Sequence, residues 1–293
     1  MQRSDEPQIE VGRPHPVVDS VGWLVGVPEK ILLWDRRVEN HSVSPQTLDH
    51  LADYLHTNHL SHVKVRANQY APIEDFRRLT RNKSVAWPYR YTFGLAQVAR
   101  DAVLPGRVFG GDHFNPYTQT IHLFSDVPAI ALHEGGHAKD FARRKYQGTY
   151  ALAYQFVPMW HEKIATEDAF AFLHARNDHN GVKEANRILY PAYGSYVGST
   201  VGTYFPAAGF PIYLTAVAAG HANGRALNRQ IDGNVGLDTV AYSGISREAS
   251  SEPSSMVNQR IQMVGTTTSL QQPESDTQPH GGRREVMPAS LRQ

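Results

Sequence analysis

The spacing of apolar residues divides the chain into helical and extended segments. Apolar positions three and four residues apart predict helices, and strict alternation with polar residues predicts strands. By these criteria, the predicted helices cover residues 45–60, 75–79, 95–103, 127–146 and 159–173. The predicted strands cover residues 62–66, 89–93, 107–111 and 120–124. This order predicts an α+β fold in which a small mixed sheet lies on one side of a helical C-terminal half.

The helix predicted at 127–146 contains the sequence His133-Glu134-Gly135-Gly136-His137, an H-E-x-x-H motif. Residues four apart lie on one helix face, so both histidines can bind a single metal ion. Glu134 lies about 100° round the helix from His133, where it can act as general base on a zinc-activated water. With 15 histidines in 293 residues, about 0.03 such motifs are expected by chance. The motif therefore predicts a zinc site.

Local signals place the ends of this helix. Ser125 or Asp126 is predicted as its N-cap, and Gly148 as the residue that ends it. Gly135 and Gly136 are unusual in the middle of a helix, since each costs about 1 kcal/mol relative to Ala. They predict the close approach of another backbone or of a substrate at this point.

A catalytic zinc site has three protein ligands, so the two histidines need a third. The chain lacks a further histidine at the spacing that would extend the motif, which points to the next predicted helix, 159–173. Glu162 lies on the apolar stripe of that helix, where a carboxylate is costly unless it is paired or bound to metal. Glu162 is therefore the first choice as third ligand, Glu167 the second and His161 the third.

The two segments resemble the gluzincin zinc metallopeptidases, a group that includes thermolysin and the CAAX prenyl-protease-like peptidases. In the latter, the second helix reads E-x-x-A-D, and residues 162–165 match its first four positions. The resemblance covers roughly residues 105–175. It implies a zincin-like fold and a zinc metallopeptidase activity, with His133, His137 and Glu162 as the zinc ligands.

The same resemblance makes two further predictions. Thr166 stands where the group has an Asp that supports a zinc-bound histidine, which leaves this role to Asp168 or Asp140. The predicted strands 107–111 and 120–124 lead into the motif helix, as the strands of a zincin sheet do. In a zincin, an antiparallel edge strand over the active-site helix binds an extended peptide by strand addition. The alternative is an ordinary hairpin with a protected edge.

Residues 188–220 contain no Asp, Glu, Lys, Arg or His. Gly194, Gly198 and Gly202 recur there at a spacing that lets two helices pack closely. Prolines interrupt the stretch, and its pieces are shorter than the roughly 20 apolar residues of a membrane-spanning helix. We therefore predict a packed helical hairpin over residues 188–225 that covers the site or rests on a membrane. Four residues in this region are candidates for the oxyanion donor, namely Tyr190, Tyr193, Tyr196 and His221. The favoured alternative is that the tyrosines belong to the core or to an interface.

Composition narrows the remaining choices. The net charge of +1 gives no argument for a nucleic-acid partner, and the absence of Cys excludes disulfides and thiolate zinc ligands. The polar N-terminus does not have the features of a signal peptide, so the expected location is the cytoplasm or the periphery of a membrane. We predict a flexible tail at 1–20, a catalytic domain at 21–228 and a largely disordered tail at 229–293.

These features favour a zinc-dependent metallopeptidase that hydrolyses peptide bonds in a peptide or protein substrate, with Glu134 as general base. The motif by itself also admits another amide substrate. The rival hypothesis is a membrane-associated or structural protein on a zincin fold, in which the hairpin mediates interaction and the metal site is weak or inactive. The intact Glu134 favours the enzyme, whereas Thr166 favours the rival.

Overall fold

The computed structural model of the chain describes residues 6–109, 111–156 and 158–251. The protein is mostly helical and contains a small mixed sheet of four strands. The predicted α+β class is thereby confirmed. The side-chain contacts described below all lie within one compact unit, Met1–Val235, and a second unit begins at Gly236.

The sheet brings together strands from distant parts of the chain. The strands are β1 (Ile9–Val11), β2 (Lys64–Ala67), β3 (His113–Asn115) and β4 (Thr120–Leu123). Their order is β1-β2-β4-β3, with β1, β2 and β4 parallel and β3 antiparallel to β4. Every residue of β2 and β4 is buried, because both strands lie in the middle of the sheet. These two strands confirm the predictions at 62–66 and 120–124, and β3 is an edge strand.

Helices make up most of the rest of the described chain. In chain order they are α1 (Pro16–Val25), α2 (Val27–Leu33), α3 (Pro45–Thr57), α4 (Pro72–Arg81), α5 (Trp87–Tyr89), α6 (Leu95–Val103), α7 (Gly106–Phe109), α8 (Pro128–Ala142), α9 (Gln147–Phe156), α10 (Pro158–Ala175), α11 (His179–Tyr204) and α12 (Gly209–Ser251). A π-helical turn, Arg90–Gly94, joins α5 to α6, and a 3₁₀ turn, Pro206–Ala208, joins α11 to α12. The helices α3, α4, α6, α8 and α10 correspond to the five that the apolar spacing predicts.

The N-terminal segment differs from the flexible tail predicted at 1–20. Within it, Ile9–Val11 forms β1, and the first half of α1 follows. The side chain of Gln8 donates hydrogen bonds to two carbonyl oxygens that precede β2. Glu10 accepts a hydrogen bond of 2.6 Å from Lys64 in β2. These contacts join residues far apart in sequence, so no local periodicity reveals them.

Two of the predicted strands are helical instead. Residues 107–109 of the strand predicted at 107–111 belong to α7, where the N–H groups of Val108 and Phe109 donate to the carbonyl oxygen of Pro105. Residues 89–93 lie in α5 and the π-helical turn. Both segments are rich in aromatic or β-branched residues, which favour strands. Each also follows a proline closely, and proline suits the first turn of a helix.

The motif helix α8 packs against α3 and α10 through its two glycines. A Cβ atom on Gly135 would lie 2.7 Å from the ring of Tyr54, and one on Gly136 would lie 2.8 Å from the carbonyl oxygen of Ala165. Any larger residue would force the helices apart at these points. The predicted close backbone approach is confirmed at Gly136, whereas Gly135 accommodates an aromatic ring. This packing fixes α8 against α10, the helix that carries Glu162.

The predicted N-cap of α8 is wrong. The N-cap residue is Val127, and it makes no side-chain capping bond. Asp126 instead accepts hydrogen bonds of 2.6 and 2.7 Å from the hydroxyls of Ser44 and Thr47, at the start of α3. The hydroxyl of Ser125 donates a hydrogen bond to the carboxylate of Asp112. Both side chains serve neighbouring segments because these lie close in the folded protein, which the sequence does not indicate.

The predicted C-terminal end of α8 is also wrong. The helix ends at Ala142, six residues before Gly148. Gln147 donates from its side chain to the carbonyl oxygens of Phe141 and Ala142, at 3.3 Å each. These bonds satisfy two of the free carbonyls at the helix end, so the chain turns there and α9 begins at Gln147.

The helices α11 and α12 pack closely at the glycines of the predicted hairpin. A Cβ atom on Gly194 would lie 2.4 Å from the carbonyl oxygen of Ala216, and one on Gly198 would lie 2.7 Å from the Cα atom of Tyr213. The close packing predicted from the glycine spacing is therefore confirmed. Within the described residues, no helix has the length and apolar character needed to cross a membrane.

The C-terminal boundary also differs from the prediction. Residues 229–251, predicted as part of a disordered tail, belong to the helix α12. The rest of that predicted tail, 252–293, lies outside the described residues. A helix without a clear apolar stripe is difficult to distinguish from a polar tail by periodicity alone.

Candidate metal centre

The helices α8 and α10 bring three of the predicted ligands together. The rings of His133 and His137 lie one turn apart, with centroids separated by 4.6 Å. The carboxylate oxygens of Glu162 lie 2.9 Å from Nε2 of His133 and 3.4 Å from Nε2 of His137. One ligand atom from each side chain lies within 4.8 Å of the other two. Across the described residues, this is the only group of three or more His, Asp or Glu side chains that meets this condition.

The other two choices for the third ligand lie elsewhere. The side chain of Glu167 is 62% exposed and pairs with Lys163 at 3.0 Å. His161 is buried, and its Nδ1 lies 2.9 Å from the hydroxyl of Tyr150. Neither belongs to the group of possible metal ligands. The geometry therefore favours Glu162.

Thr166 contacts the first histidine of the motif. Its hydroxyl lies 3.2 Å from Nδ1 of His133, the ring nitrogen that does not face Glu162. Metal-binding histidines usually have such a partner on their second nitrogen. Asp168 and Asp140 bond to tyrosine and cationic side chains instead. At His133, the contact expected from Asp168 or Asp140 is made instead by Thr166, the residue that departs from the gluzincin pattern.

Glu134 is buried beside the three ligands, with 6% of its surface exposed. Its carboxylate accepts a hydrogen bond from the backbone N–H of Phe114 in β3. Its Oε2 atom has no hydrogen-bond partner among the described residues. Burial, together with the negative charges of Glu162 and Asp112, raises the pKa of Glu134 to about 8. A buried carboxylate oxygen without a partner is costly and calls for an explanation.

The three candidate ligands, His133, His137 and Glu162, shift one another's pKa values. Burial alone would lower the pKa of His133, but the hydrogen bond to Glu162 raises it. The pKa of His137 is lowered, chiefly by burial. Burial would raise the pKa of Glu162, yet the two imidazoles hold it well below its usual range. Glu162 is therefore ionised, and two imidazole nitrogens with one carboxylate are a donor set that zinc uses in catalytic sites.

A cleft of about 210 Å³ opens beside these residues. Residues of α11 and α12 form one wall, and α2, α8 and α10 contribute the rest with the segment before β3. The polar lining beyond the motif and Glu162 includes Glu29, Asp112, Thr166, Tyr193, Tyr196 and Tyr213. Because these residues come from separate elements and form no motif, Glu29, Asp112 and Tyr213 cannot be recognised from the sequence. Thr166 has one signal, since it follows Glu162 by four residues on the same helix.

The four predicted oxyanion donors occupy different places. Tyr193 and Tyr196 line the cleft. Burial and the negative charges of Glu162 and Glu134 raise the pKa of Tyr196, so its hydroxyl keeps its proton and is able to donate a hydrogen bond, as it does to Glu162. The Nε2 of His221 lies 2.8 Å from a carbonyl oxygen of α2, and the ring of Tyr190 packs on that of Phe170. Tyr196 is therefore the best placed of the four.

A larger cavity, of about 720 Å³, lies by the N-terminal ends of α8 and α11. Its lining carries charges of both signs, which pair with one another. Arg37 lies 2.8 Å from Glu184, and Lys183 forms an ion pair with Asp232. None of the motif residues lines this cavity, so function is argued from the smaller cleft.

Comparisons with models of known protein families, with curated proteins and with solved structures gave no match. The resemblance to gluzincins therefore rests on the two short motifs alone. Function follows from the geometry of the centre and its cleft.

Proposed function

We propose that the protein is a zinc-dependent metallopeptidase that hydrolyses peptide bonds with Glu134 as general base. The observation that carries this proposal is the meeting of His133, His137 and Glu162 within 4.8 Å of one another, next to the unpartnered carboxylate oxygen of Glu134. A structural ion-pair cluster would account for the three ligands. It would not account for Glu134, a second buried acid that has one oxygen without a partner.

The residues at the centre suit a bound zinc ion. Two neutral imidazoles and a carboxylate leave one position for a small ligand, which is the arrangement of catalytic zinc. Thr166 orients His133 so that Nε2 points toward Glu162. When bound, zinc would supply an activated water as nucleophile and polarise the substrate carbonyl.

The chain's own groups then have separate tasks. Glu134 accepts the proton of the attacking water and passes it to the leaving amine. The N–H of Phe114 holds that carboxylate in place. The hydroxyl of Tyr196 donates a hydrogen bond to the negative oxygen that develops on the substrate carbonyl. The position of β3 at the edge of the sheet supports a peptide over another amide, since edge strands can bind an extended peptide by strand addition.

Zinc content measured by elemental analysis tests the proposal. Wild-type protein is expected to hold zinc in near-stoichiometric amount, and His137→Ala and Glu162→Ala are expected to lose it. Glu167→Ala is the matched control, because it makes the same change on an exposed face of the same helix. Glu134→Gln is expected to keep zinc and lose peptide hydrolysis by roughly 10²–10⁴-fold. Wild-type protein that binds no zinc after reconstitution would overturn the proposal.

A second function is favoured by the tip of the α11–α12 hairpin. Tyr204, Phe205 and Phe210 are 78%, 59% and 71% exposed there, and residues 188–220 carry no charge. Exposed aromatic side chains favour the interface of a bilayer. We propose that this tip contacts a membrane surface. Replacing the three residues by Ser should abolish co-sedimentation with phosphatidylcholine vesicles, whereas Ile73→Ser, at an exposed site on α4, should leave it intact. A wild type that stays in the supernatant excludes this function.

A further inference from the structure

The cleft contains more carboxylates than the proposed hydrolysis uses. Four of its lining residues are acidic, namely Glu29, Asp112, Glu134 and Glu162. Among the described residues that line it, none is Lys or Arg. Glu162 is assigned to the metal and Glu134 to proton transfer, so Glu29 and Asp112 have no task in the reaction.

Asp112 is held in a fixed orientation. One of its carboxylate oxygens accepts hydrogen bonds from the backbone N–H groups of Phe124, at 2.6 Å, and Ser125, at 3.0 Å. The other carboxylate oxygen accepts a hydrogen bond from the hydroxyl of Ser125. Its negative charge acts on Glu134 and also on Glu29, whose pKa is raised by burial and by Asp112. Asp112 thus lines the same cleft as Glu134 and Glu29, and its charge acts on both.

A further carboxylate, that of Glu39, contacts Glu29. Glu39 is 9% exposed and hydrogen-bonds to Glu29, and burial with the charges of Glu29 and Asp112 raises its pKa to about 7. Lys30 is the cation that acts on this pair, but its Nζ donates to the backbone oxygens of Trp23 and Glu39, at 3.0 and 3.1 Å. The ammonium group of Lys30 therefore offsets only in part the negative charges of Glu29, Glu39 and Asp112.

The backbone beside these acids leaves room for a ligand. A Cβ atom on Gly111 would lie 3.1 Å from Oε1 of Glu39 and 3.8 Å from Oε2 of Glu29. Glycine at this position keeps the carboxylates open to the cleft. The unpartnered oxygen of Glu134, 6% exposed, belongs to the same cleft. Buried or half-buried carboxylates that lack counter-charges are stabilised by a cation from outside.

We infer that the cleft selects substrates that carry an ammonium or guanidinium group next to the scissile bond, with Asp112 and Glu29 as the residues that recognise it. This inference rests on the proposed peptidase function. The cation is the side chain of a Lys or Arg residue or the free N-terminal amine of the substrate. Both offer the same chemistry to the two carboxylates, since each is a positively charged hydrogen-bond donor.

The test compares short Ala-Gly peptides that differ at one residue, which is Lys, Arg, Leu or Glu. All are acetylated at the N-terminus, and a Leu peptide with a free amine forms a separate arm. Zinc-loaded wild-type protein is expected to cleave the Lys and Arg peptides, or the free-amine peptide, with kcat/KM roughly tenfold above the acetylated Leu peptide. The Glu peptide is expected to be the poorest substrate, because like charges repel. The arm that shows the preference identifies the source of the cation.

Two variants assign the preference to its residues. Glu29→Gln and Asp112→Asn should each reduce the ratio between the cationic and the Leu peptides toward one. Glu74→Gln, the same change at an exposed ion pair on α4, should keep the wild-type ratio. Glu29 has the larger exposed fraction of the two residues, although its carboxylate is partly desolvated. Its variant therefore tests the inference even if Asp112→Asn fails to fold.

The outcomes separate this inference from the proposed function. Equal cleavage of the acetylated Lys, Arg, Leu and Glu peptides and of the free-amine Leu peptide would overturn the inference and leave the peptidase intact. If no peptide is cleaved, the proposed function fails, and calorimetric binding of the acetylated Lys, acetylated Leu and free-amine Leu peptides to the protein tests the recognition of a cation separately. Tighter binding of the Lys or the free-amine peptide that is lost in Glu29→Gln supports that recognition, and equal binding of all three peptides overturns it.

Discussion

Buried charges occur in two regions of this molecule, and the two regions treat them differently. In the sheet, Lys64 and Arg66 of β2 are completely buried, and each is paired with a carboxylate: Arg66 with Asp75 at 2.9 Å and with Glu10 at 3.0 Å, and Lys64 with Glu10 at 2.6 Å. In the cleft, Glu134 has an oxygen without a partner. Next to the cleft, Glu39 is subject to the negative charges of Glu29 and Asp112.

The buried charges of the sheet are paired and stabilise the fold. The buried acids in and next to the cleft lack such partners, which is expected of groups that bind a ligand. A paired buried charge costs several kcal/mol when one partner is removed, because the other remains buried alone. An unpaired buried acid destabilises the folded state already, so its removal should stabilise the protein. The same kind of substitution should therefore have opposite effects on stability in the two regions.

The largest effect is expected in the sheet. Arg66→Leu should lower the free energy of unfolding by about 3–5 kcal/mol, because it removes the ion-pair partner of the buried Asp75 and one of the two cations that pair with Glu10. Urea unfolding monitored by circular dichroism measures this change. The double variant Arg66→Leu, Asp75→Leu should recover part of the loss. A loss below about 1 kcal/mol in the single variant would remove the distinction between the two regions.

The second-largest effect is expected for zinc affinity, at Thr166 next to the candidate ligand His133. Thr166→Val keeps the shape of the side chain but removes the hydroxyl that contacts His133. Zinc affinity, measured by competition with a chelator, should fall roughly 10- to 100-fold. Thr166→Ser should retain most of the affinity. An unchanged affinity in the Val variant would mean that the contact is incidental.

A gain in stability is expected at the general base. In zinc-free protein, Glu134→Gln should raise the free energy of unfolding by about 1–2 kcal/mol, since it replaces an unpartnered buried acid with a neutral amide. The exposed control Glu74→Gln should stay within about 0.5 kcal/mol of wild type. The idea fails if the Glu134 variant is the less stable protein at neutral pH.

The smallest effect is a dependence on pH at Glu39. Its pKa rises from an ordinary value of 4.5 to about 7 in the folded protein, through burial and the charges of Glu29 and Asp112. The folded state therefore holds this proton more tightly than the unfolded state. Stability from this group is complete below pH 4.5 and is lost as the pH rises through about 7.

The variant Glu39→Gln checks that sign. It should match wild type in acid and exceed it by about 1 kcal/mol at about pH 8. Unfolding curves collected across the pH range give the comparison directly. A wild type that gains stability relative to the variant as the pH rises would show that Lys30 compensates Glu39 fully.

Local patterns were sufficient for the elements that surround the site. The helices α3, α6, α8 and α10 carry apolar residues at helical spacing, and β2 and β4 alternate or run apolar between turns. The same patterns failed at residues 89–93 and 107–109, where strand-favouring side chains lie in helical turns. They also failed at β1, which exists through its pairing with β2 and through ion pairs to distant residues.

The candidate site divides in the same way. His133 and His137 follow from a spacing of four, and Glu162 follows from a carboxylate on an apolar stripe. The role of Thr166 was missed, because the gluzincin pattern directs attention to a carboxylate. Asp112 and Glu29 reach the cleft from a loop and from α2, and only the tertiary structure brings them together.

The hydrogen bond between the backbone of Phe114 and Glu134 has a consequence for how this site varies in evolution. The donor is a main-chain N–H, which every amino acid except proline supplies. Position 114 is therefore free to change its side chain without losing this contact. The contact that positions the base thus depends on the backbone of β3, and proline is the one residue at position 114 that would remove it.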